Sequence, residues 1–378
     1  MTKTILPYKT IGIIGGGQLG RMMCLAAKAI GYYVAVLDPT PNCPCGQVAD
    51  IEITAAYNDM EAIKKLAEVS DVITYEFENI DYEALAFLEE HAWLPQRSDV
   101  LKITKHRYRE KNAIKNMGIP VADFFLVDNE ESLKKHFFYP SVLKTLTDGY
   151  DGKGQFIIKS KEDFSAASKI IEKQECILEK WIPFDREISV ITARSTKGEF
   201  SVFPIAENIH VKNILHQSIV PARITKKLEE KAINYACRIT ETLNSIGVLA
   251  VEMFVAGDDI YINELAPRPH NSGHYTIDAC ITNQFEQHIR AVCGLPLGDP
   301  YLYSPVVMVN ILGDHMNSKD MSALDAYMPL LNKGKLHLYG KAEAKDGRKM
   351  GHINMLGDIE SSLKLIEQTN IWTGEGRN

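Results

Sequence analysis

The chain is predicted to combine α/β and α+β architecture: an N-terminal doubly wound parallel sheet, a larger mixed middle region and a small β-rich C-terminal domain. Three observations predict it. Residues 10–77 alternate apolar runs of strand length with segments of helical periodicity, the β-α-β-α-β order that builds parallel sheets. With 378 residues the chain exceeds one ordinary core, so about two to three domains are expected. Composition shifts after Pro296, where residues 306–312 and 336–339 read as short strands.

Each element has a local reason. Residues 10–14 are an apolar run that ends at Gly15-Gly16-Gly17. Leu19, Met22, Met23, Ala26 and Ile30 then recur at helical spacing, and Gly31 stops that helix. Residues 33–37 (YVAVL) form the next strand, residues 61–69 a helix and residues 72–77 (VITYEF) a strand. A charged helix is expected over 104–117, closed by Gly118-Ile119-Pro120. Short strands and a helix near 161–173 then surround the glycine-rich DGYDGKGQ. Strands follow at 187–193 and 200–205. A long helix carries Leu228, Ala232, Ala236, Ile239, Leu243 and Ile246 on one face, and two strands come next at 249–255 and 260–265.

Composition excludes several classes. The chain is 45% hydrophobic and 24% charged, with net charge −7 and mean hydropathy −0.14. No Lys/Arg-rich block is interleaved with aromatics, so no nucleic-acid partner is expected. No apolar run reaches the length of a membrane span, and MTKTILPYK lacks a signal-peptide core; no membrane partner and a cytoplasmic location are expected. Seven dispersed cysteines suit a reducing compartment. Cys43 and Cys45 have no second Cys/His pair at ligand spacing and read as incidental thiols.

Gly15-x-Gly17-x-x-Gly20 follows a strand and opens a helix, and Asp38 ends the next strand. The pattern leaves three readings open: a dinucleotide site, a single-phosphate site, or a tight turn common to doubly wound domains. Gln18 adds a polar side chain at the helix start.

The segment IYINELAPRPHNSG (260–273) is denser in chemistry. It places Glu264, Arg268, His270, Asn271 and Ser272 in a stretch that begins as a strand, and buried charge is costly unless it is paired or binds a ligand. Centring the preceding hairpin on Asp258 sets Glu252 opposite Glu264, with Phe254 and Ile262 on the same face and Asn263 on the other. Like charges at a cross-strand pair repel, and a divalent cation between them removes the conflict. Upstream, Lys144 ends an apolar strand before a glycine-rich segment, which reads either as a phosphate cradle or as a hairpin turn. CILEKWI (176–182) reads as an edge strand able to offer backbone groups to a purine, with Glu187 five residues on for ribose hydroxyls.

Together these residues resemble the ATP-grasp superfamily over nearly the whole chain. Within it, GGGQLGRM, YEFENI, GYDGKGQ and INELAPRPHNSGH resemble the 5-(carboxyamino)imidazole ribonucleotide synthase family of purine biosynthesis. The resemblance implies an ATP-grasp fold divided into residues 1–103 (substrate binding), 104–298 (ATP-grasp, with a lid over 119–181) and 299–378. It implies an ATP-dependent, C–N bond-forming ligase that carboxylates aminoimidazole ribonucleotide with bicarbonate through carboxyphosphate, releasing ADP and phosphate. It also implies Mg²⁺ and a homodimer. Its ATP contacts fall on Arg107, Lys144, Gly149, Tyr150, Asp151, Gly152, Lys153, Gly154, Gln155, Glu179, Lys180, Trp181, Ile182, Glu187, His210, Asn263 and Glu264. Its Mg²⁺ ligands fall on Glu252 and Glu264; Ala266 stands where some relatives have a ligand Asn. The ribonucleotide pocket falls on Gln18, Leu19, Glu76, Arg268, His270, Asn271, Ser272, Lys341 and Arg348, and the catalytic candidates are Tyr150, Asp151, His270 and Lys341. Three alternatives share part of the pattern. A formate-dependent glycinamide ribonucleotide transformylase shares most of it. An NAD-dependent oxidoreductase explains only the glycine loop. A non-catalytic nucleotide-binding regulator leaves the carboxylates and lysines without a task.

Overall fold

The computed structural model describes residues 3–147, 149, 154–315 and 327–369. Three sheets organise them. The first contains β1 (Thr10–Ile14), β2 (Tyr33–Asp38), β3 (Ile51–Thr54) and β4 (Val72–Tyr75), all parallel, in the order β3-β2-β1-β4. Strand alternation divides its side chains between two cores. Ile11, Ile13, Val34 and Val36 face helix Gln18–Ala29, with Leu19, Met22 and Met23. Ile14, Ala35, Leu37 and Ile73 face helices Met60–Val69 and Tyr82–His91. The strand order reverses at β1, so a crevice opens beyond the ends of β1 and β4, where the glycine loop and Glu76 lie.

The second sheet contains β5 (Phe124–Val127), β6 (Ser141–Thr145), β7 (Gln155–Ile158) and β8 (Cys176–Lys180), antiparallel, in the order β5-β8-β6-β7. Helices Glu130–His136 and Phe164–Ile171 cover one face. The expected edge strand is therefore internal: β8 pairs with β5 on one side and β6 on the other.

The third sheet has nine strands: β9 (Arg186–Arg194), β10 (Phe200–Val202), β11 (Ala206–Val211), β12 (Ile214–Val220), β13 (Gly247–Ala256), β14 (Asp259–Ala266), β15 (Val306–Leu312), β16 (Gly334–Leu338) and β17 (Lys349–Leu356). Their order is β14-β13-β9-β11-β12-β15-β17-β16, with β10 on β9. Helix Lys226–Thr242 lays Leu228, Ala232, Ala236 and Ile239 against β9 and β13. The C-terminal strands continue this same sheet, because β15 pairs with β12.

Three differences from the sequence expectation have local causes. The 200–205 strand is only Phe200–Val202, and the hairpin β11–β12 follows it. That hairpin turns through Lys212 and Asn213, both at positive φ (51° and 64°), a primed two-residue turn without the usual glycine. The 104–117 helix is two helices, Asp99–Thr104 and Arg107–Asn116, separated at His106, whose extended backbone (φ −125°, ψ 104°) starts the second. Finally, β4 ends at Tyr75, which frees Glu76 and Glu78 from the sheet.

Candidate active site

A cavity of about 390 Å³ lies between the second and third sheets. Val142, Lys144, Gln155 and Glu179 come from the small sheet. Trp181, Ile182 and Phe184 come from the connection between the sheets, flanked by Lys180 at the end of β8 and Glu187 in β9, with Phe184 stacked on Phe254 at 4.5 Å. Asn208, His210, Leu215, Glu252, Asn263 and Glu264 rise from the large sheet, and His270, Asn271 and Lys349 close the inner end.

Glu252 and Glu264 are paired across β13 and β14, but by a route the sequence did not indicate. The turn is two residues, Gly257-Asp258, with Gly257 at φ 57°; Ala256 pairs with Asp259 and Phe254 with Tyr261. A bulge next to Glu252 then shifts the register by one residue and brings Glu252 opposite Glu264. Two expectations are thereby corrected. Ile262 pairs with Met253 and joins the core rather than sharing a face with Phe254. Asn263, expected on the far face, lines the cavity, because the extra residue of a bulge re-aims its side chain.

The electrostatics follow from burial. Burial, then the neighbouring Glu264, pushes the Glu252 carboxyl up to about 8. Glu264 is also pushed up by burial, but Arg107 and Lys144 outweigh it and hold it below the usual carboxylate range. Arg107 Nη1 lies 3.3 Å from Glu264 Oε2, and its Nη2 donates to the Gly149 carbonyl at 3.0 Å, tying the carboxylate to the start of the glycine segment. The Asn263 amide oxygen and Glu179 Oε1 are buried without a hydrogen-bond partner among the described residues. Two carboxylates in conflict beside an orphaned amide oxygen form a hard-oxygen donor set of the kind Mg²⁺ takes.

Lys144 Nζ lies 3.0 Å and Lys111 Nζ 3.5 Å from Glu179 Oε2, all buried. Glu187 pairs with His210, whose pKa is raised by that partner against the effect of burial. Gln155 lies opposite Lys144 in the antiparallel β6–β7 pair and lines the cavity. Tyr150, Asp151, Gly152 and Lys153 lie outside the described residues. The Lys180 and Trp181 N–H groups donate to the Asp123 and Pro140 carbonyls, so neither is offered to a ligand as expected; both side chains line the cavity.

The glycine loop is not an open anion site. Gly16 N–H donates to Asp38 Oδ2 at 2.7 Å, Gly20 N–H to Glu76 Oε2 at 2.6 Å, and Gly17 N–H to Glu76 Oε1. Two carboxylates thus occupy the amides that a pyrophosphate would need, which removes the dinucleotide and single-phosphate readings. Asp38 also accepts from Tyr57 and the Thr40 N–H, leaving it no role on a ribose. Leu19 packs its side chain into the core, so only its backbone remains available to a ligand, while Gln18 is half-buried at the helix start.

Arg268 Nε lies 2.9 Å from Glu78 Oε1, next to Glu76. His270 Nε2 lies 3.1 Å from Glu252 Oε1, and its Nδ1 lies 2.9 Å from the Ser272 hydroxyl. Burial, then the charge of Arg268, holds the ring well below its usual pKa. Asn271 exchanges amide hydrogen bonds with Asn310 of β15. Lys341 donates to the Lys349 carbonyl and Arg348 to the Glu343 carbonyl, and neither lines the cavity. The C-terminal cation that does is Lys349, which acts on Glu252 and His270. Sequence reading missed Lys349, Glu110 and Lys111. The last two had a signal: with Ile114 they form the buried stripe of helix Arg107–Asn116, a stripe that carries charge.

The comparisons agree over the chain's length. Residues 8–105 match the ribonucleotide synthetase preATP-grasp domain, 112–285 the ATP-grasp domain, and 306–365 the phosphoribosylaminoimidazole carboxylase C-terminal domain. The chain is 54% identical over 377 residues to the N5-carboxyaminoimidazole ribonucleotide synthase of Bacillus subtilis (strain 168), covering 98% of both chains. It is 43% identical to that of Staphylococcus aureus (strain MRSA252), covering 98% of this chain and 97% of the other. It is similar to a crystal structure of an ADP complex of N5-carboxyaminoimidazole ribonucleotide synthetase, with TM-score 0.94 at 60% identity, covering 98% and 99% of the two chains. It is also similar to the Aspergillus clavatus enzyme in complex with ADP and 5-aminoimidazole ribonucleotide, with TM-score 0.88 at 30% identity, covering 97% and 98%. Matched along its whole length by relatives and by all three domain families, the chain belongs to the N5-carboxyaminoimidazole ribonucleotide synthase family of ATP-grasp proteins.

Proposed function

We propose that the chain is an ATP-dependent ligase of purine biosynthesis that joins bicarbonate to the exocyclic amine of 5-aminoimidazole ribonucleotide, forming N5-carboxyaminoimidazole ribonucleotide, ADP and phosphate. The observation that carries this is the cross-strand pair Glu252/Glu264, held with the orphaned Asn263 amide at one wall of a cavity whose opposite wall presents Lys144. Glu252, Glu264 and Asn263 would hold Mg²⁺, which when bound neutralises charge on the phosphates.

The cavity suits ATP along its length. Val142, Trp181, Ile182 and the Phe184–Phe254 stack form an apolar slot for a purine, and Glu187 is placed for ribose hydroxyls. Lys144 and Arg107 bring positive charge to the phosphates. A bicarbonate oxygen attacks the γ-phosphorus and ADP leaves, giving carboxyphosphate; positioning and charge neutralisation supply most of that step. The amine nitrogen then bonds to the carboxyl carbon, the C–O bond to phosphate breaks, and the departing phosphate takes the amine's proton. Glu76, Arg268 and His270, beside the inner end of the cavity, would orient the ribonucleotide, with Lys349 at the cavity, and Lys341 and Arg348 outside it, supplying charge for its phosphate. Tyr150 and Asp151 would act from a lid over the labile intermediate. A homodimer and a cytoplasmic location belong to the same reading, and sedimentation of the purified chain tests the former.

The test is ADP release. It should require both bicarbonate and aminoimidazole ribonucleotide, and formate should not replace bicarbonate. Turnover with formate and glycinamide ribonucleotide would favour the transformylase instead.

A further inference from the structure

His270 stands at the end of a line of buried polar side chains drawn from four separate elements. The Ser218 hydroxyl (β12) donates to Asn208 Oδ1 at 2.9 Å, and Asn208 Nδ2 (β11) donates to the Ser189 hydroxyl (β9) at 3.1 Å. The Ser189 hydroxyl donates to that of Ser272 at 2.7 Å. A hydroxyl has one proton, so Ser272, having accepted, is left to donate to His270 Nδ1 at 2.9 Å. The Ser272 N–H points at the same nitrogen at 3.3 Å. A ring nitrogen that accepts from a backbone N–H carries no proton, so the proton of the ring is on Nε2, which faces Glu252 Oε1 at 3.1 Å. All four supporting side chains are at most 6% exposed. Asn208 sets the direction, because an amide cannot exchange its donor and acceptor ends by turning a proton.

We propose that Ser218, Asn208, Ser189 and Ser272 form a one-directional hydrogen-bond relay that holds His270 as an Nε2–H donor to Glu252, which makes His270 a positioning residue for that carboxylate rather than the acceptor of the substrate's proton. The proposal rests on the reading of Glu252 as a metal-holding carboxylate. Each hydrogen bond polarises the next, so the orientation of one distant amide is transmitted to the site. A partner behind a ligand of this kind changes metal affinity without touching the metal.

The experiment measures the ring-nitrogen NMR shifts of histidine in the full chain, with the His270 signal identified by its loss in His270→Gln. The wild type is expected to show the Nε2–H tautomer. Asn208→Asp has the same shape but accepts at both atoms. Ser189 then turns its proton to residue 208, and the His270 population shifts toward Nδ1–H. The apparent Mg²⁺ requirement rises by about tenfold or more. His270→Gln, which keeps an N–H at the outer position, should turn over at least about tenfold faster than His270→Ala, whereas a lost proton acceptor leaves both equally slow. An Nδ1–H tautomer in the wild type, an unmoved tautomer in Asn208→Asp, or equal rates for the two His270 variants would each overturn the proposal. The wild-type tautomer and the His270 pair decide the matter even if Asn208→Asp does not fold. Absence of bicarbonate-dependent ADP release in the wild type would defeat the ligase reading and leave the tautomer result standing.

Discussion

Replacing Glu179 by Gln removes an anion set between two buried ammonium groups. Glu179 Oε2 lies 3.0 Å from Lys144 Nζ and 3.5 Å from Lys111 Nζ, and the three side chains are between 3% and 8% exposed. Burial pushes the Glu179 pKa up, but Lys111, then Lys144 and Arg107, outweigh it and hold the carboxyl at about 2, against an ordinary 4.5. At about 1.4 kcal/mol per pH unit, that depression is worth about 3 kcal/mol of folding stability. Breaking a buried pair by removing one partner typically costs about 3–5 kcal/mol, which agrees. The sign follows from a depressed pKa: the contribution is complete above 4.5 and is lost as pH falls from there through about 2. Urea unfolding of wild type and Glu179→Gln should therefore show a gap of about 3 kcal/mol at neutral pH that narrows as the buffer is taken toward about pH 3. A gap below about 1 kcal/mol at neutral pH would mean that the pair merely breaks even. A gap that does not narrow on acidification would show that the cost is packing, not charge.

Other expectations test the remaining walls of the site. Glu264→Gln takes away a carboxylate from the cation site and the partner of Arg107, and should cut ADP release by at least about a hundredfold at any Mg²⁺ concentration. Glu252, raised to about 8 by burial and by Glu264, contributes stability below 4.5 that is lost as pH rises through about 8. Mg²⁺ should therefore raise Tm more on the alkaline side of that value than on the acid side, and a uniform rise would refute the pairing argument. Glu76→Ala strips the acceptor from the Gly17 and Gly20 amides at a helix start; about 1–2 kcal/mol of stability should be lost, with a raised KM for the ribonucleotide and little change in KM for ATP.

Much of the fold was legible because it is written in local periodicity. The β1 and β2 alternation, the Leu228–Ile239 stripe and the Gly257 turn each depend on residues a few positions apart. The hairpin β11–β12 was not legible, because its strands bury Glu207, Asn208, His216, Gln217 and Ser218, polar groups that hide the strand pattern. Nor was the junction of β15 to β12, since a sheet order is a long-range choice.

The amino-acid order alone determined β1, β2, β4, the Lys226–Thr242 helix and the β13–β14 hairpin, and it supplied the chemistry: paired acids, a strand lysine, and the dense run from Glu264 to Ser272. Tertiary structure decided which of those groups meet. One bulged residue aligned Glu252 with Glu264 and turned Asn263 inward, Glu76 and Asp38 closed the glycine loop to anions, and Lys349 rather than Lys341 or Arg348 reached the cavity. The reason is physical. Periodicity reports only which side of its own element a residue faces, whereas charges and hydrogen bonds act over a few ångströms between elements far apart in the chain.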